Sequence, residues 1–250
     1  LRRQRQMCIR DRDTINTELA LADLLSAEKS YQKAIKNSKA GQKEGLPLKN
    51  LLEKILPKLE EGIAIRSVEF KPDEHKLIKS LQLLTSKPVL YVANVSDSGF
   101  VNNPHLEELK DYAKNQNSEV VAVCADIEAE IAELDDDDKQ GFLDEMGQKE
   151  SGLDRLIKAG YGLLGLQTYF TAGVKEVRAW TINVGDSAPV AAGKIHGDFE
   201  KGFIRAETIS YKDFIDYKGE KGSKDAGKLR SEGKEYIVQD GDVVHFLFNV

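Results

Sequence analysis

From residue 14 the chain spaces its apolar positions as a helix does. In TINTELALADLLSAEKSYQKAIKNSKA, residues 14–40, Ile15, Leu19, Ala22 and Leu25, then Ala34 and Ile35, recur at helical intervals with Lys, Glu and Gln between them. The pattern predicts one long amphipathic helix, capped by Thr14 with Glu18 close behind. Residues 41–47 read as a turn. LKNLLEKILPKLEEG, residues 48–62, predicts a second helix, which Pro57 should end or kink and Gly62 should close. Two helices joined by a short connection form an antiparallel hairpin, coiled-coil-like in character. A third helix, over about 73–85, carries Leu77, Ile78, Leu81 and Leu84 on one side.

Past residue 86 the helical period gives way to unbroken apolar runs. Val89 to Ala93 has the pattern of a strand covered on both faces. A helix over 104–116 and a second run, EVVAVCA at 119–125, complete a βαβ unit with parallel strands. Short helices are expected over 126–133 and 137–147. The DDDD at 135–138 between them reads as a solvated turn with helix-capping carboxylates, since the spacing and glycine of a calcium loop are missing. A helix over 151–164 follows. From Thr168 the chain breaks into short β-rich pieces separated by glycines, and Asp240-Gly241 between two of them predicts a hairpin. SYKDFIDYKGEKGSKDAGKLRSEG is a polar, helix- and turn-forming insert. These pieces predict a separate, small α+β domain.

Composition narrows the function classes. A formal net charge of −6 argues against a globally basic nucleic-acid binder, DNA included, while leaving room for a local basic face. No apolar run approaches the ~18 residues of a membrane helix, so no membrane partner is expected. The two cysteines, Cys8 and Cys124, lie far apart and fit a reducing, cytoplasmic setting better than a disulfide framework. The histidines, His75, His105, His196 and His245, show no metal-ligand spacing. The opening LRRQRQMCIRDR has five arginines and no periodic apolar face. It reads as a disordered or non-native tail, with the native chain expected from near Asp13.

The stretch with candidate chemistry is PVLYVANVSDSGF, residues 88–100. An apolar strand delivers Asn94, and Asp97 follows three residues later. Open parallel sheets bind ligands at the C-terminal ends of their strands. An Asn there both donates and accepts, so it can tie a loop together and meet a purine edge. Asp97 can accept from the donor groups that distinguish guanine. Val95 stands where guanine readers carry a lysine whose stem covers the base, and supplies apolar contact without charge. At the end of the second strand, small Cys124 and Ala125 would let a backbone amide approach the base from the other side. An Asn after a strand is also an ordinary turn former, and spacing alone leaves both readings open. Cys124 has no sequence-near His and reads as a core thiol rather than a nucleophile.

A phosphate site of the Walker type needs G-x4-G-K-[ST] between a strand and a helix. Gly222 to Lys228 nearly fits, but Leu229 replaces the hydroxyl residue and no buried strand precedes it, so it reads as a solvated turn. No catalytic residue and no metal ligand is assigned. His196, Lys201 and Arg205, among Phe199, Phe203 and glycines, form either an RNA- or protein-contact surface or an ordinary charged turn.

The strings DTINTELALADL, KPVLYVANVSD, GYGLLGLQTYFTAGVKEVRAWTI, GKIHGDFEKGFIRAETISYKDF and EGKEYIVQDGDVVHFLFNV closely resemble the YchF-type Obg-like ATPases, over about Asp13 to Val250. The resemblance implies an α/β plus α+β architecture. Residues 13–85 would be a helical coiled-coil insertion. Residues 86–165 would be the C-terminal half of a P-loop GTPase-like parallel sheet, and 167–250 a β-grasp-like TGS domain, with 1–12 outside the match. It also implies that the P-loop and magnesium-binding segments precede the insertion, so that the chain corresponds to a C-terminal portion without them. ATP is the implied nucleotide, with Mg held by the absent segments. The ribosome, through its large subunit, or rRNA is the implied partner. The family carries Asn-x-x-Glu in place of the guanine reader's Asn-Lys-x-Asp. Asp97 departs from that Glu, which keeps GTP in play.

Overall fold

The computed structural model describes residues 2–39, 45–116 and 118–249, with the backbone alone at 2–12, 39 and 136. It divides into two compact units, one through Arg155 and one from Leu156.

The first unit opens with α1 (Arg2–Lys39), so helical backbone runs through the expected tail and past Thr14, which lies inside the helix rather than at a cap. Residues 2–39 contain no Gly or Pro and are rich in strong helix formers. The face that α1 buries matches the predicted one at Ala34 but not in the first half of the helix. Ile15 and Leu25 are more than half exposed, whereas Ala20, Asp23, Ala27 and Ala34 are buried. Alanines seven residues apart recur on one helix face, and their small side chains bring α1 close to its partner.

That partner is α2 (Gly45–Glu60), which contributes Leu51, Leu52, Ile55 and Leu59 to the shared core. A Cβ on Gly45 would stand 2.6 Å from the Ser38 backbone nitrogen, so the end of α1 and the start of α2 meet only because glycine is there. The expected turn over 41–47 falls mainly outside the described residues. Pro57 lies within α2 and does not end it there, because Ile55 and Leu59, both fully buried, anchor the helix on either side. Gly62, at φ +74°, closes the helix as expected.

A short turn at Ile65–Ser67 leads to α3 (Pro72–Leu81), which stops at Gln82 (φ 52°), ahead of a second turn at Leu84–Ser86. Asp23, only 2% exposed, accepts from the Leu84 N–H (2.8 Å), the Thr85 N–H (2.7 Å) and the Thr85 hydroxyl (2.6 Å). A buried carboxylate persists when its lone pairs are met in this way. It pins α1 to the segment that leads into the sheet.

That sheet consists of β1 (Leu90–Asn94) and, after α4 (Pro104–Asn115), β2 (Glu119–Val123), paired in parallel with Leu90 opposite Glu119 and Asn94 opposite Val123. The predicted two-sided cover of β1 is not found. Val92 is 48% exposed, because β1 has one strand neighbour among the described residues. Helices α5 (Ala125–Glu133), α6 (Asp136–Glu145) and α7 (Gly152–Leu164) follow, with Asp135 preceding the first residue of α6.

The second unit is built on a five-stranded sheet. Strands β3 (Leu166–Ala172) and β4 (Val177–Asn183) form a hairpin. Helices α8 (Ala188–Ile195) and α9 (Gly197–Lys201) precede β5 (Phe203–Ser210). The insert forms α10 (Tyr211–Asp216) and α11 (Glu220–Asp225), followed by β6 (Arg230–Glu232) and β7 (Asp242–Phe248). The strand order is β4-β3-β7-β5-β6, with β3 and β7 parallel and the other pairs antiparallel. Tyr169, Ile182, Ala206, Val244 and Phe246 close a core with Ala188, Ala191 and Ala192 of α8. Of Gly222–Lys228, read as a solvated turn, the first four residues form the end of α11, with Ser223 fully buried, and Ala226–Gly227 make the exposed turn.

The hairpin expected at Asp240-Gly241 is absent. Gly241 does turn the chain (φ +79°), but β7 pairs with β5 and β3. Residues 236–238 are tied instead to the entrance of α8, the Ala188 N–H donating to the Tyr236 carbonyl (2.8 Å) and the Val238 N–H to that of Asp186 (3.2 Å). Tyr236 also donates its hydroxyl to Asp242 (2.6 Å), and burial together with this carboxylate pushes its pKa up to about 12.

Candidate functional site

The residues singled out after the two parallel strands come together. One step past the paired ends of β1 and β2, the Val95 N–H donates to the Val123 carbonyl (2.8 Å). Asn94 Oδ1 accepts the Ala125 N–H at 3.1 Å, so the side chain ties the loop after β1 to the loop after β2. Its Nδ2 group makes no hydrogen bond among the described residues, and Asn94 is exposed.

Asp97 opens a tight turn, Asp97–Phe100. One carboxylate oxygen accepts the Ser98 N–H (2.7 Å), and the other is exposed and without a partner among the described residues. The turn is fastened from both sides. The Gly99 N–H donates to the Ser96 carbonyl (2.8 Å), and Asn103 Nδ2 donates to the Gly99 carbonyl (3.0 Å). Asn103 Oδ1 in turn accepts the N–H groups of His105 (3.1 Å) and Leu106 (3.3 Å), an N-cap that fixes the start of α4. A Cβ on Gly99 would lie 3.0 Å from Val95 Cβ, so the loop folds onto the half-buried Val95 at a position suited to glycine. Within four residues the loop offers a free amide donor, a free carboxylate acceptor and an apolar side chain. That combination can meet the polar rim and the face of a planar heterocycle.

Cys124 does not join these groups. It is 1% exposed and packs in a core with Ile127, Ile131 and Leu143, flanked by Phe100 and Phe142. It immediately precedes α5, so its thiol turns inward while the neighbouring Ala125 N–H faces Asn94. The amide expected to approach a base from that side is already spent on Asn94 Oδ1.

Two further residues shape the site and were not singled out from the sequence. Glu128 on α5 accepts the N–H groups of Gly152 (2.6 Å) and Leu153 (3.1 Å), capping α7 from another helix. Arg155, half-buried, donates to the carbonyls of Ala122 (3.2 Å) and Glu150 (3.0 Å) and to Gln148 Oε1 (3.0 Å). Its guanidinium also lies 5.7 Å from the centre of the Phe100 ring. A Cβ at Gly152 would meet Glu128 at 2.6 Å and Val123 at 3.1 Å, and a glycine opening a predicted helix was the available hint of such crowding.

The second unit holds His196, Lys201 and Arg205. His196 bridges α8 and α9, with Nδ1 3.3 Å from the Asp198 carboxylate and accepting the Asp198 N–H. Arg205 on β5 pairs with Glu207 at 3.3 Å. His196 and Arg205 are thus each engaged by an acidic residue two positions along the chain. Beside them Phe199 stacks on Phe248, with centroids 3.7 Å apart. Among the described residues, no group of three or more His, Cys, Asp or Glu side chains is placed to hold a metal ion, and no helix is long and apolar enough to cross a membrane.

The chain is similar to known proteins over nearly all of its length. The family model YchF-GTPase_C, described as a protein of unknown function (DUF933), matches residues 166–249. The chain is 57% identical over 240 residues to the ribosome-binding ATPase YchF of Escherichia coli O157:H7, covering 96% of this chain and 66% of that protein. It is 53% identical over 245 residues to the protein of the same name from Bacillus subtilis, covering 97% and 67%. The structure of the Schizosaccharomyces pombe YchF GTPase superposes with a TM-score of 0.79 at 34% identity, covering 96% of this chain and 66% of that one.

Proposed function

The chain belongs to the YchF family, and from that premise we propose that residues 1–250 supply the base-side nucleotide pocket, helical arm and accessory domain of a cytoplasmic, ribosome-associated ATPase. The observation that carries the reading is the Asn94–Ala125 tie across the ends of two parallel strands, with a free Asp97 oxygen three residues further along the same loop. Asn94 Nδ2, Val95 and Asp97 would hold the purine, with Ala125 as the opposite wall and Cys124 as the filler behind it. The α1–α2 pair is the coiled-coil-like arm. The β1–β2 pair is part of a P-loop GTPase-like sheet, and the five-stranded sheet with α8 is the TGS domain.

No G-x4-G-K-[ST] stretch occurs in the sequence. The triphosphate and its Mg would therefore be held by groups outside these residues, and the chain described here chooses the base rather than cleaving the phosphate. Competition of ATP against GTP for the 250-residue chain, and for a full-length relative, tests this. Protection of the 94–100 amides by ATP, without turnover by the 250-residue chain, is the expected result. Mg-dependent hydrolysis by these residues alone overturns it. Tighter binding of GTP than ATP assigns the site to guanine, with Asp97 as the cause, and Asp97→Glu should then shift preference back toward ATP.

A second, non-enzymatic reading rests on the exposed edge of the second unit. Stacked Phe199 and Phe248 beside Lys201, His196 and Arg205 suit RNA, bases lying on rings and phosphates on cations. Co-sedimentation with ribosomes, through the large subunit, in the absence of nucleotide favours it. Retention that survives Lys201→Glu and Phe199→Ala together excludes this surface.

A further inference from the structure

We infer that Arg155 is the positioning residue that sets the height of the Asp97 carboxylate over the site and thereby its base preference; this rests on the nucleotide-base reading above. Asp97 and Phe100 are the two ends of one tight turn. The hydrogen bonds that tie this loop to β2 and its exit lie at its root, from the Val95 N–H to the Val123 carbonyl and from the Ala125 N–H to Asn94. The turn's internal bonds, Ser98 N–H to Asp97, Gly99 N–H to Ser96 and Asn103 to Gly99, connect it only to itself and to α4.

Arg155 adds a polar connection at the far end of the turn, where the Phe100 ring also packs against the core of Cys124, Ile127, Ile131 and Leu143. One nitrogen of its guanidinium, Nη2, holds the Ala122 carbonyl in β2 at 3.2 Å, while the same planar group lies 5.7 Å from the Phe100 ring centre. Ala122 directly precedes Val123, whose carbonyl takes the Val95 N–H at 2.8 Å. The guanidinium therefore closes a circuit from β2 through Phe100 to the turn and back through Val95. The other nitrogen, Nη1, anchors the group to Glu150 and Gln148, and Glu128 fixes the helix that carries it by capping Gly152 and Leu153. A planar, five-donor cation suits this role because it bonds in its plane and stacks through its face at the same time. Lysine does only the first.

Because the turn is rigid within itself, moving Phe100 tilts Asp97. A carboxylate that reads a base edge is sensitive to such a tilt, since hydrogen bonds weaken steeply with angle and distance. Arg155 touches no part of the proposed ligand site and acts through Phe100.

Amide exchange at 96–100 and affinities for ATP and GTP, measured on the 250-residue chain and on Arg155→Gln, Arg155→Lys and Phe100→Leu, test the inference. Arg178→Gln, which removes the guanidinium 4.2 Å from the Trp180 ring in the other unit, is the control. Arg155→Gln and Phe100→Leu should each speed exchange at Ser98 and Gly99 by about tenfold and change the ATP-to-GTP affinity ratio by a similar factor, the loss of one charge-assisted contact. Arg155→Lys should fall between, and Arg178→Gln should change neither. Phe100→Leu alters both the ring's contact with Arg155 and its packing on the Cys124 core, so if Arg155→Gln fails to fold, Arg155→Lys, which leaves Phe100 in place, decides the matter. Unchanged exchange, or faster exchange with an unchanged ratio, overturns the inference. If the unsubstituted chain binds neither nucleotide, the base-site reading is what fails, and exchange alone then decides whether Arg155 positions the turn.

Discussion

β1 and β7 carry similar apolar runs and end in different surroundings. β7 lies between β3 and β5, and Val243, Val244 and Phe246 are buried there. β1 has β2 as its neighbour, and Val92 stands 48% exposed. The difference lies in what covers the two runs. A parallel strand is ordinarily covered on both faces and paired on both edges, and β1 is apolar enough for that setting. An unbroken apolar run therefore reports the cover a strand is built for, which need not come from the residues nearest in sequence. The chain spans 66% of the length of its Escherichia coli relative, so such cover has a natural source in the reading proposed above.

The sharpest way to break this comparison is to truncate one core side chain in each sheet. Tyr169 is fully buried, its hydroxyl donates to the Ala191 carbonyl (2.9 Å) and its ring meets Phe246 edge-on at 5.7 Å. Tyr169→Ala should cost the second unit about 3–5 kcal/mol, and Val92→Ala less than about 1 kcal/mol in the first. Urea denaturation followed by the fluorescence of the single tryptophan, Trp180, reads the second unit, and amide exchange of β1 and β2 reads the first. Equal losses would show that β1 is as well packed as β3.

A second substitution asks whether weakness in the first unit is confined to its sheet. Asp23→Ala strands three donors, the Leu84 and Thr85 N–H groups and the Thr85 hydroxyl, at a site 2% exposed. It should destabilise the α1–α2 region by about 3 kcal/mol. Asp23→Asn keeps one acceptor oxygen and should lose less. Circular dichroism of the helical transition separates the two. A loss near zero for Asp23→Ala would mean that the helical arm is as loosely held as β1.

How much of this was legible in the sequence follows the range of the interactions. Helices and strands set by local period emerged within a few residues of their predicted bounds, β1 and α4 among them. Asn94 was legible as well, because it ends an apolar strand, a local signal, although its partner, the Ala125 N–H at the start of α5, lies 31 residues on. The buried face of α1 was legible at Ala34 but not in the first half of the helix. The large side chains at Ile15 and Leu25 pointed to one face, while the helix packs through small alanines on another. The missing hairpin at Asp240-Gly241 has the same origin: turn chemistry was read correctly, but the α8 entrance captured residues 236–238. Arg155 and Glu128 escaped because the contacts that bring them to the site, Arg155 to Ala122 and Glu128 to Gly152 and Leu153, span 24 to 33 residues and no motif marks them.

A smaller effect distinguishes the units by pH. Tyr236 keeps its proton up to about 12 in the folded chain, against 10 for the free phenol. Between those values the native state binds more protons than the unfolded one, so the stability of the second unit is fully present below pH 10 and falls as pH rises toward 12. After allowance for the partial exposure of the ring, the loss is about 1 kcal/mol. Tyr236→Phe should flatten that part of the pH–stability curve, read through Trp180. A curve unchanged by the substitution would assign the alkaline loss elsewhere.

The smallest expected change in stability tests the site itself. Asn94→Ala removes one exposed hydrogen bond, to the Ala125 N–H, and should cost about 0.5–1 kcal/mol. Asn94→Asp keeps the acceptor and should cost less. Because Asp retains the tie between the loops but loses the free Nδ2 donor, the two substitutions separate holding the loops from reading a ligand. Exchange of the Ala125 amide should quicken in Asn94→Ala and stay slow in Asn94→Asp, while nucleotide binding should weaken in both. If Asn94→Asp binds ATP as the unsubstituted chain does, Asn94 serves only as a strut between β1 and β2. The base contact would then fall to Val95 and Asp97.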